Sequence, residues 1–182
     1  MDGSRSLKGK VALVTGSSRG IGRAIAERYG SLGASVVVNY AGDERTARDV
    51  VAAIERSGGA AIAVKADVSR VPEVDRLYQA ALDKFGRLDI AVANAGVELV
   101  NQPIREVTEQ DFDRLFAINT KGAFFTLQRA AGHIVDHGRI IYIGSSNTAF
   151  PTPGNGLYGA SKTAPQFLVE ILAKGLGSSR VR

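Results

Sequence analysis

The stretch KVALVTGSSRGIG, residues 10–22, decides the fold because it joins a buried strand to a helix through a turn rich in glycine. KVALVT (10–15) is a short apolar run with β-branched residues, which predicts a strand covered on both faces. IGRAIAERYGSLG (21–33) has the spacing of an amphipathic helix and stops at a glycine. The stretch therefore predicts the first strand and helix of an α/β fold.

The same alternation of strands and helices continues along the chain. Short apolar runs predict further strands, and amphipathic segments between them predict helices. The predicted strands are 35–40, 60–66, 88–96 and 139–144, and the predicted helices are 44–59, 71–85, 108–135 and 157–174. Continuous apolar strands that alternate with helices indicate a parallel sheet covered on both faces. We therefore predict one doubly wound α/β domain over residues 1–182, with about five strands.

Composition and charge narrow the classes of function. The 182 residues are 45% hydrophobic and 23% charged, as in soluble globular proteins, and the absence of cysteine excludes disulfides and thiolate chemistry. Neither a signal-like segment in residues 1–10 nor an apolar run of membrane-spanning length occurs, so we predict a cytoplasmic protein without a membrane partner. The net charge is +5, but the lysines and arginines are scattered, which predicts no nucleic-acid partner. His133 and His137 are the only histidines, and we predict no metal site.

The glycines of TGSSRGIG (15–22) predict a phosphate-binding turn. Gly16 permits a tight turn, Gly20 lets the backbone approach a phosphate, and Gly22 allows close packing of helix on strand. Free amide groups at the start of the following helix then face an anion. The alternative is an ordinary glycine turn, which the position between a strand and a helix disfavours.

Tyr158 and Lys162 lie four residues apart in the last predicted helix, so their side chains share one helix face. A carbonyl group that accepts a hydride needs a proton, and a phenol has an unperturbed pKa of about 10, too high for good proton transfer at neutral pH. A nearby ammonium group lowers that pKa. The pair therefore predicts an acid and the cation that tunes it; the alternative is an exposed surface pair one helical turn apart.

These motifs occur together and in a fixed order: TGxxxGxG at 15–22, NAG at 94–96, Asn119 inside the fourth predicted helix, Ser145 after the fifth strand, and YxxxK at 158–162. In these motifs the chain resembles the classical short-chain dehydrogenase/reductase family, from about residue 8 to residue 180. The resemblance implies a Rossmann-type sheet and an oxidoreductase that uses a nicotinamide cofactor and acts on a small-molecule carbonyl substrate.

The resemblance also assigns roles to the catalytic set Asn119, Ser145, Tyr158 and Lys162. Tyr158 is the acid/base, and Lys162 tunes it and holds the nicotinamide ribose. Ser145 orients the substrate, with Ser146 as the fallback, and Asn119 supports a water linked to the lysine. The alternatives are a serine that caps the loop and a solvated asparagine in a helix.

The choice of cofactor depends on the end of the second strand. This strand ends at Asn39 and Tyr40, with no acid before Asp43 to repel a 2′-phosphate, and Arg19 in the glycine turn supplies a cation for it, so we predict NADP(H). The alternative for Arg19 is a solvated turn residue. Asp67 matches the family position that binds the adenine amino group; alternatively it caps the following turn. The predicted cofactor-binding residues are Gly16, Ser18, Arg19, Gly20, Ile21, Gly22, Asn39, Tyr40, Asp67, Val68, Asn94, Ala95, Gly96, Tyr158 and Lys162.

Two features disturb the resemblance. The family continues with a sixth and a seventh strand, whereas here residues 180–182 read only as the start of the sixth, which would leave 139–144 as an edge strand. Pro165 lies inside the last predicted helix, so the helix either kinks or starts later than predicted.

Two functions therefore compete. One is an NADPH-dependent ketone reductase, similar to 3-oxoacyl reductases; the alternative is a truncated, non-catalytic NADP-binding or interaction protein of the same lineage. The resemblance further implies a homodimer through the helices at 108–135 and 157–174.

Overall fold

The computed structural model describes residues 6–176, and within them the predicted alternation of strands and helices is confirmed. The strands are β1 (Val11–Val14), β2 (Ser35–Tyr40), β3 (Ala60–Lys65), β4 (Ile90–Ala93) and β5 (Arg139–Tyr142). The helices are α1 (Gly20–Ser31), α2 (Glu44–Arg56), α3 (Val71–Phe85), α4 (Glu109–Leu115), α5 (Ala123–His133) and α6 (Gly156–Gly175). The residues from 180 to 182 that were predicted to start a sixth strand lie outside the described part.

The five strands form one parallel sheet in the order β3-β2-β1-β4-β5. In the centre Val14 lies opposite Val38 on one side and Val92 on the other. The chain order reverses between β1 and β4, and a sheet of this kind opens a crevice at the carboxyl ends of those two strands. The predicted Rossmann-type doubly wound fold is therefore confirmed, and its topology marks where a ligand site is expected.

Helices cover both faces of the sheet. On one face β1 and β4 pack against α3, where Leu77 and the buried Tyr78 form the centre of the core. On the other face the alternate residues of the same strands pack against α1 and α2 through Ala26, Val50 and Ile54. Burial on both faces explains why these strands read as continuous apolar runs.

The fourth predicted helix differs from a regular α-helix in its middle. It begins with the capping pair Thr108 and Asp111: the Asp111 N–H donates to Thr108 Oγ1 at 3.1 Å, and the Thr108 N–H donates back to the carboxylate at 3.3 Å. Between α4 and α5 the segment Phe116–Gly122 winds as a π-helix, which we call the π segment. Wide turns of this kind are frequent at functional sites, and this one contains Asn119.

Helix α6 runs without interruption through Pro165, so it does not start later than predicted. A proline lacks the N–H that would bond to the carbonyl four residues earlier, here that of Ser161. That carbonyl instead accepts a hydrogen bond from Thr120 Oγ1 in the π segment at 2.9 Å. The π segment thus supplies the donor that the proline removes.

Strand β5 is an edge strand in the described part of the sheet, as predicted, and β3 forms the opposite edge. Its first residue, Arg139, is exposed, and the next three are partly buried. Within residues 6–176 no helix combines the length and the apolar character that crossing a membrane requires.

Candidate functional site

A single cleft opens at the carboxyl ends of β1 and β4, where the topology predicts a ligand site. Its walls include every residue predicted to bind the cofactor, from the glycine turn at one end to Tyr158 and Lys162 at the other. Sequence reasoning missed the further lining residues Ala41, Gly42, Asp43, Thr46, Ala66, Val97, Glu98, Ile118, Ile143 and Gly144. The structure thus brings the predicted residues together, while their binding of a cofactor stays a prediction.

The glycine turn has the geometry that its three glycines predict. Gly16 has a φ of +62°, and a Cβ on it would lie 2.9 Å from the Ala95 Cα, so only glycine fits. A Cβ on Gly22 would lie 2.5 Å from Asn94 Nδ2. Gly20 also has a positive φ, +57°, but the position of its missing Cβ faces open space. The turn is therefore packed on its inner side and open on the side of the cleft.

Asn39 braces this turn from below. Its buried side chain accepts the Gly16 N–H at 2.9 Å and donates to the Ala66 carbonyl at 2.9 Å, so it joins the turn to the end of β3. The Ser17 N–H donates to the Asn39 carbonyl at 2.9 Å, which ties β2 to the same turn. Although Asn39 lines the cleft, its amide group is engaged within the protein.

The NAG turn is fixed to the glycine turn in a similar way. Thr15 Oγ1 accepts the N–H groups of Asn94 and Ala95, both at 3.0 Å. The Asn94 side chain donates to the carbonyls of Thr15 at 2.8 Å and Gly16 at 3.2 Å. The predicted Asn94 and Ala95 therefore shape the floor of the cleft through their contacts with β1.

At the end of the cleft that holds the glycine turn, Asp67 makes the contacts of a turn cap. Its Oδ1 accepts the Ser69 N–H at 2.9 Å and the Ser69 hydroxyl at 2.7 Å. This is the alternative interpretation of Asp67, and it leaves Asp67 on the wall of the cleft with the buried Val68 beside it.

The same end of the cleft holds two oppositely charged residues. Arg19 is exposed at the start of α1 and lines the cleft together with Tyr40. Asp43, which was not predicted as a site residue, also lines the cleft. Its carboxylate caps α2 by accepting the Thr46 N–H at 3.2 Å.

Lys162 is buried at the other end of the cleft, beside Tyr158, with only 4% of its surface exposed. Its ammonium nitrogen donates to the Ile143 carbonyl at 3.1 Å and lies 5.9 Å from the centroid of the Tyr158 ring. Burial lowers the pKa of Lys162, since a cation loses its hydration there. The burial of Lys162 contradicts the alternative of an exposed surface pair.

Asn119 projects from the π segment into the protein and is fully buried, so it is not a solvated helix residue. Its Oδ1 accepts the Val97 N–H at 2.8 Å, and its Nδ2 donates to the Val97 carbonyl at 2.8 Å and to Ser161 Oγ at 3.0 Å. A Cβ on Gly96 would lie 3.2 Å from both Asn119 Oδ1 and Lys162 Nζ. Asn119 therefore fixes the loop after β4 beside the lysine without lining the cleft itself.

Ser145 caps a short 3-10 turn (Ser146–Thr148) at the carboxyl end of β5. Its Oγ accepts the Asn147 N–H at 3.2 Å, which is the loop-capping alternative. Ser145 directly follows Gly144, which lines the cleft, and an accepting hydroxyl keeps its own O–H free to donate. Its fallback, Ser146, is exposed.

The cleft combines a turn suited to phosphate with a phenol and a buried ammonium. Such a set can bind an anionic dinucleotide and transfer a proton. Within residues 6–176 no group of three or more His, Cys, Asp or Glu side chains could hold a metal ion. His133 instead stacks on the ring of Tyr78, with 5.9 Å between the ring centroids.

Comparison with known proteins agrees with this geometry. The profile of the short chain dehydrogenase family matches residues 10–182. Over 178 residues the chain is 47% identical to a hydroxynaphthalene reductase-like protein, Arp2, of Metarhizium brunneum, with 97% of this chain and 66% of Arp2 covered. The chain thus spans just under two thirds of the length of this curated relative.

Solved structures give the same result. The landomycin C-6 ketoreductase LanV, solved with bound NADP and rabelomycin, superposes with a TM-score of 0.90 at 43% identity, covering 97% of this chain and 74% of LanV. A short chain dehydrogenase of Burkholderia cenocepacia in complex with NADP gives a TM-score of 0.91 at 39% identity, covering 97% and 72%. The predicted use of NADP thus agrees with what these two neighbours bind. By its profile match, its relatives and its fold, the chain belongs to the short chain dehydrogenase family.

Proposed function

We propose that this protein is an NADPH-dependent oxidoreductase that reduces a ketone, with Tyr158 as the proton donor. The observation that carries the proposal is the buried ammonium of Lys162, 5.9 Å from the Tyr158 ring, in the same cleft as the glycine turn. A buried cation beside a phenol stabilises the phenolate that is left when the hydroxyl proton is transferred.

The cleft fits a phosphorylated dinucleotide. A Cβ on Gly20 would meet nothing within 4 Å, so the start of α1 leaves room for a phosphate, which its free amide groups would bind. Arg19 lies on the same wall and offers a planar cation for a 2′-phosphate. When bound, NADPH would supply the hydride that reduces the carbonyl carbon.

The side chains at the end of the cleft with Tyr158 and Lys162 would transfer the proton. Tyr158 donates its hydroxyl proton to the carbonyl oxygen as negative charge develops there, and the resulting phenolate is stabilised by the Lys162 ammonium. Lys162 would also hold the nicotinamide ribose. Ser145 donates its free O–H to the same carbonyl oxygen and so orients the substrate, while Asn119 keeps the loop at residues 96–97 in place beside the lysine.

For the substrate, we propose a ketone on a fused-ring phenolic compound. Support comes from the printed names of two relatives, a hydroxynaphthalene reductase-like protein and a C-6 ketoreductase solved with rabelomycin. A 3-oxoacyl thioester is the second candidate, because the sequence also resembles 3-oxoacyl reductases.

The test begins with fluorescence titrations of the protein with NADPH and with NADH, followed by turnover assays on a fused-ring ketone and a 3-oxoacyl thioester. We expect NADPH to bind at least about tenfold more tightly than NADH, a difference of about 1.4 kcal/mol. Tyr158→Phe should bind NADPH as the unchanged protein does and lose about 100-fold or more of kcat. NADPH binding without turnover of any ketone would favour the non-catalytic alternative, and no binding of either cofactor would reject both.

We also propose a homodimer formed through α4, α5 and α6, where large apolar side chains are exposed: Phe112, Phe124, Phe167 and Ile171. Light scattering on a size-exclusion column should give twice the 19.2 kDa mass of the chain. A monomer at micromolar concentration would contradict this proposal.

For the location we propose the cytoplasm, in keeping with a chain without cysteine. Microscopy of a fluorescent fusion protein would test this location.

A further inference from the structure

Tyr142 is a phenol beside the candidate site that the proposed reaction does not use. It is the last residue of β5, and its ring centroid lies 5.3 Å from Lys162 Nζ, closer than the 5.9 Å of the Tyr158 ring. The Tyr142 hydroxyl donates a long hydrogen bond, 3.4 Å, to the Lys162 carbonyl. The lysine is therefore contacted by Tyr142 at both its backbone and its ammonium group.

The other groups that face the Lys162 ammonium come from three elements. They are the Ile143 carbonyl after β5, the Tyr158 ring on α6 and, across Gly96, the side-chain oxygen of Asn119 in the π segment. Among residues 6–176, none of the salt bridges involves Lys162. A buried cation without a carboxylate is costly, so the uncharged groups around it must supply its stabilisation.

We propose that Tyr142 is a positioning residue of the site, whose ring stabilises the charged form of Lys162 by a cation–π interaction. A ring within about 6 Å of an ammonium attracts it through the negative face of the ring, most strongly where water is excluded. Burial, with a smaller contribution from Tyr158, raises the pKa of Tyr142, so the ring is neutral at physiological pH. The inference rests on the proposed function in one respect: the charge that Tyr142 stabilises is the one that acts on Tyr158.

The direct test is the titration of Lys162 itself, which needs neither cofactor nor turnover. The protein is labelled with ¹³C at the lysine Cε atoms, and the Lys162 signal is assigned by its disappearance in Lys162→Arg. Tyr142→Phe keeps the ring and loses only the hydroxyl, so we expect the midpoint of the Lys162 titration to stay where it is. Tyr142→Leu keeps an apolar side chain but loses the ring, and we expect the midpoint to fall by about 0.5 to 1 pH unit.

A second series guards against misfolding of the leucine variant. Phenylalanine carrying one, two or three ring fluorines is placed at position 142, which weakens the negative face of the ring while the shape is nearly unchanged. The Lys162 midpoint should fall stepwise with each fluorine. A flat fluorine series, or equal midpoints for Tyr142→Phe and a folded Tyr142→Leu, would overturn the proposal. Because the readout is the lysine titration, a protein that reduces no ketone still tests it.

Discussion

Asn39 ties its own strand, β2, to the glycine turn and to the end of β3. It accepts from the glycine turn at Gly16, donates to the end of β3 at Ala66, and its backbone exchanges hydrogen bonds with Ser17. The turn would otherwise leave these backbone groups buried without partners, at a cost of about 1–3 kcal/mol each. The shape of the glycine turn therefore depends on a residue whose amide group is already engaged within the protein.

The sequence predicted which residues approach the cleft better than it predicted their bonds. The glycines and the YxxxK pair could be placed from their order, because the motif, the strand and the helix are neighbours in the chain. The partners of Asn39, Asn94 and Asn119 are distant in sequence, and an amide side chain carries no sign of which backbone groups it will bond. Tyr142 was missed for the same reason, since only the folded sheet puts it beside Lys162.

At the residue scale we predict that Arg19→Gln lowers affinity for NADPH while affinity for NADH is unchanged. The substitution removes a cation on the cleft wall, and a charge-assisted hydrogen bond is worth about 1.5–3 kcal/mol, or roughly a 10- to 100-fold change in Kd. Fluorescence titration with each cofactor measures it. Arg23→Gln is the matched control, because Arg23 lies nearby, in the first turn of α1, but pairs with Glu27 at 2.8 Å. Equal losses for both cofactors would mean that Arg19 shapes the turn and does not select the phosphate.

At the scale of elements, the π segment and α6 are joined by hydrogen bonds that neither could make alone. Thr120 donates to the Ser161 carbonyl that Pro165 leaves free, and Asn119 donates to the Ser161 hydroxyl. Ser161 Oγ donates in turn to the carbonyl of Tyr158 at 2.7 Å. The first turns of α6, which carry the proposed acid and its cation, are thereby held against the segment that contains Asn119.

The sequence predicted the length of this helical region but not its winding. Thr108 and the apolar spacing mark a helix, and both are compatible with either an α or a π turn, because the two differ by one residue in the hydrogen-bonding pattern. Pro165 was visible as an anomaly. The hydrogen bond that compensates for this proline was not visible, since its donor, Thr120, lies on another element.

A double-mutant cycle on Thr120 and Pro165 tests this coupling. Thr120→Val leaves the Ser161 carbonyl without its donor, and we expect a loss of about 1 kcal/mol of unfolding free energy. In a Pro165→Ala background the new N–H can bond to the same carbonyl, so the cost of Thr120→Val should fall by about 0.5 kcal/mol or more. Urea unfolding of the four proteins measures both values, and Thr120→Ser, which keeps the hydroxyl, is the control. Additive effects would show that the two residues act independently.

At the scale of the whole molecule, the sheet is fixed at the end opposite the cleft by a buried carboxylate. Asp89 accepts hydrogen bonds from Lys10 at 3.0 Å, from the Val11 N–H at 3.0 Å and from two Arg87 nitrogens at 2.7 Å. Burial by itself would raise the pKa of Asp89, but the bonds from Arg87, Lys10 and Val11 outweigh it and hold that pKa below its usual value.

The lowered pKa of Asp89 predicts how stability depends on pH. Since the folded-state pKa lies below the unfolded value of about 3.9, the contribution is complete above about pH 5 and is lost as pH falls through the folded-state pKa. Asp89→Asn should cost about 1–2 kcal/mol at neutral pH, because its charged partners are nearly half exposed. Urea unfolding between pH 7 and pH 3 should show the gap to the unchanged protein narrowing only at the acid end. Asp49→Asn, on the exposed side of α2, is the control, and a gap that stays constant with pH would contradict the assignment.

The strand order has a consequence for how the molecule is made. Val11 lies opposite Ser35, 24 residues further along the chain, whereas Ala12 lies opposite Ile90, 78 residues further along. We therefore expect β1 to pair with β2 before it pairs with β4. Closing the longer loop costs more entropy, and long-range pairing of parallel strands is slow. We expect β1 and β2, with the glycine turn, to form first, and the pairing of β1 with β4, which completes the cleft, to form last. A nucleotide that bridges β1 and β4 would then stabilise the product of the final folding step. The supply of cofactor would therefore influence what fraction of the newly made chains reaches the folded state.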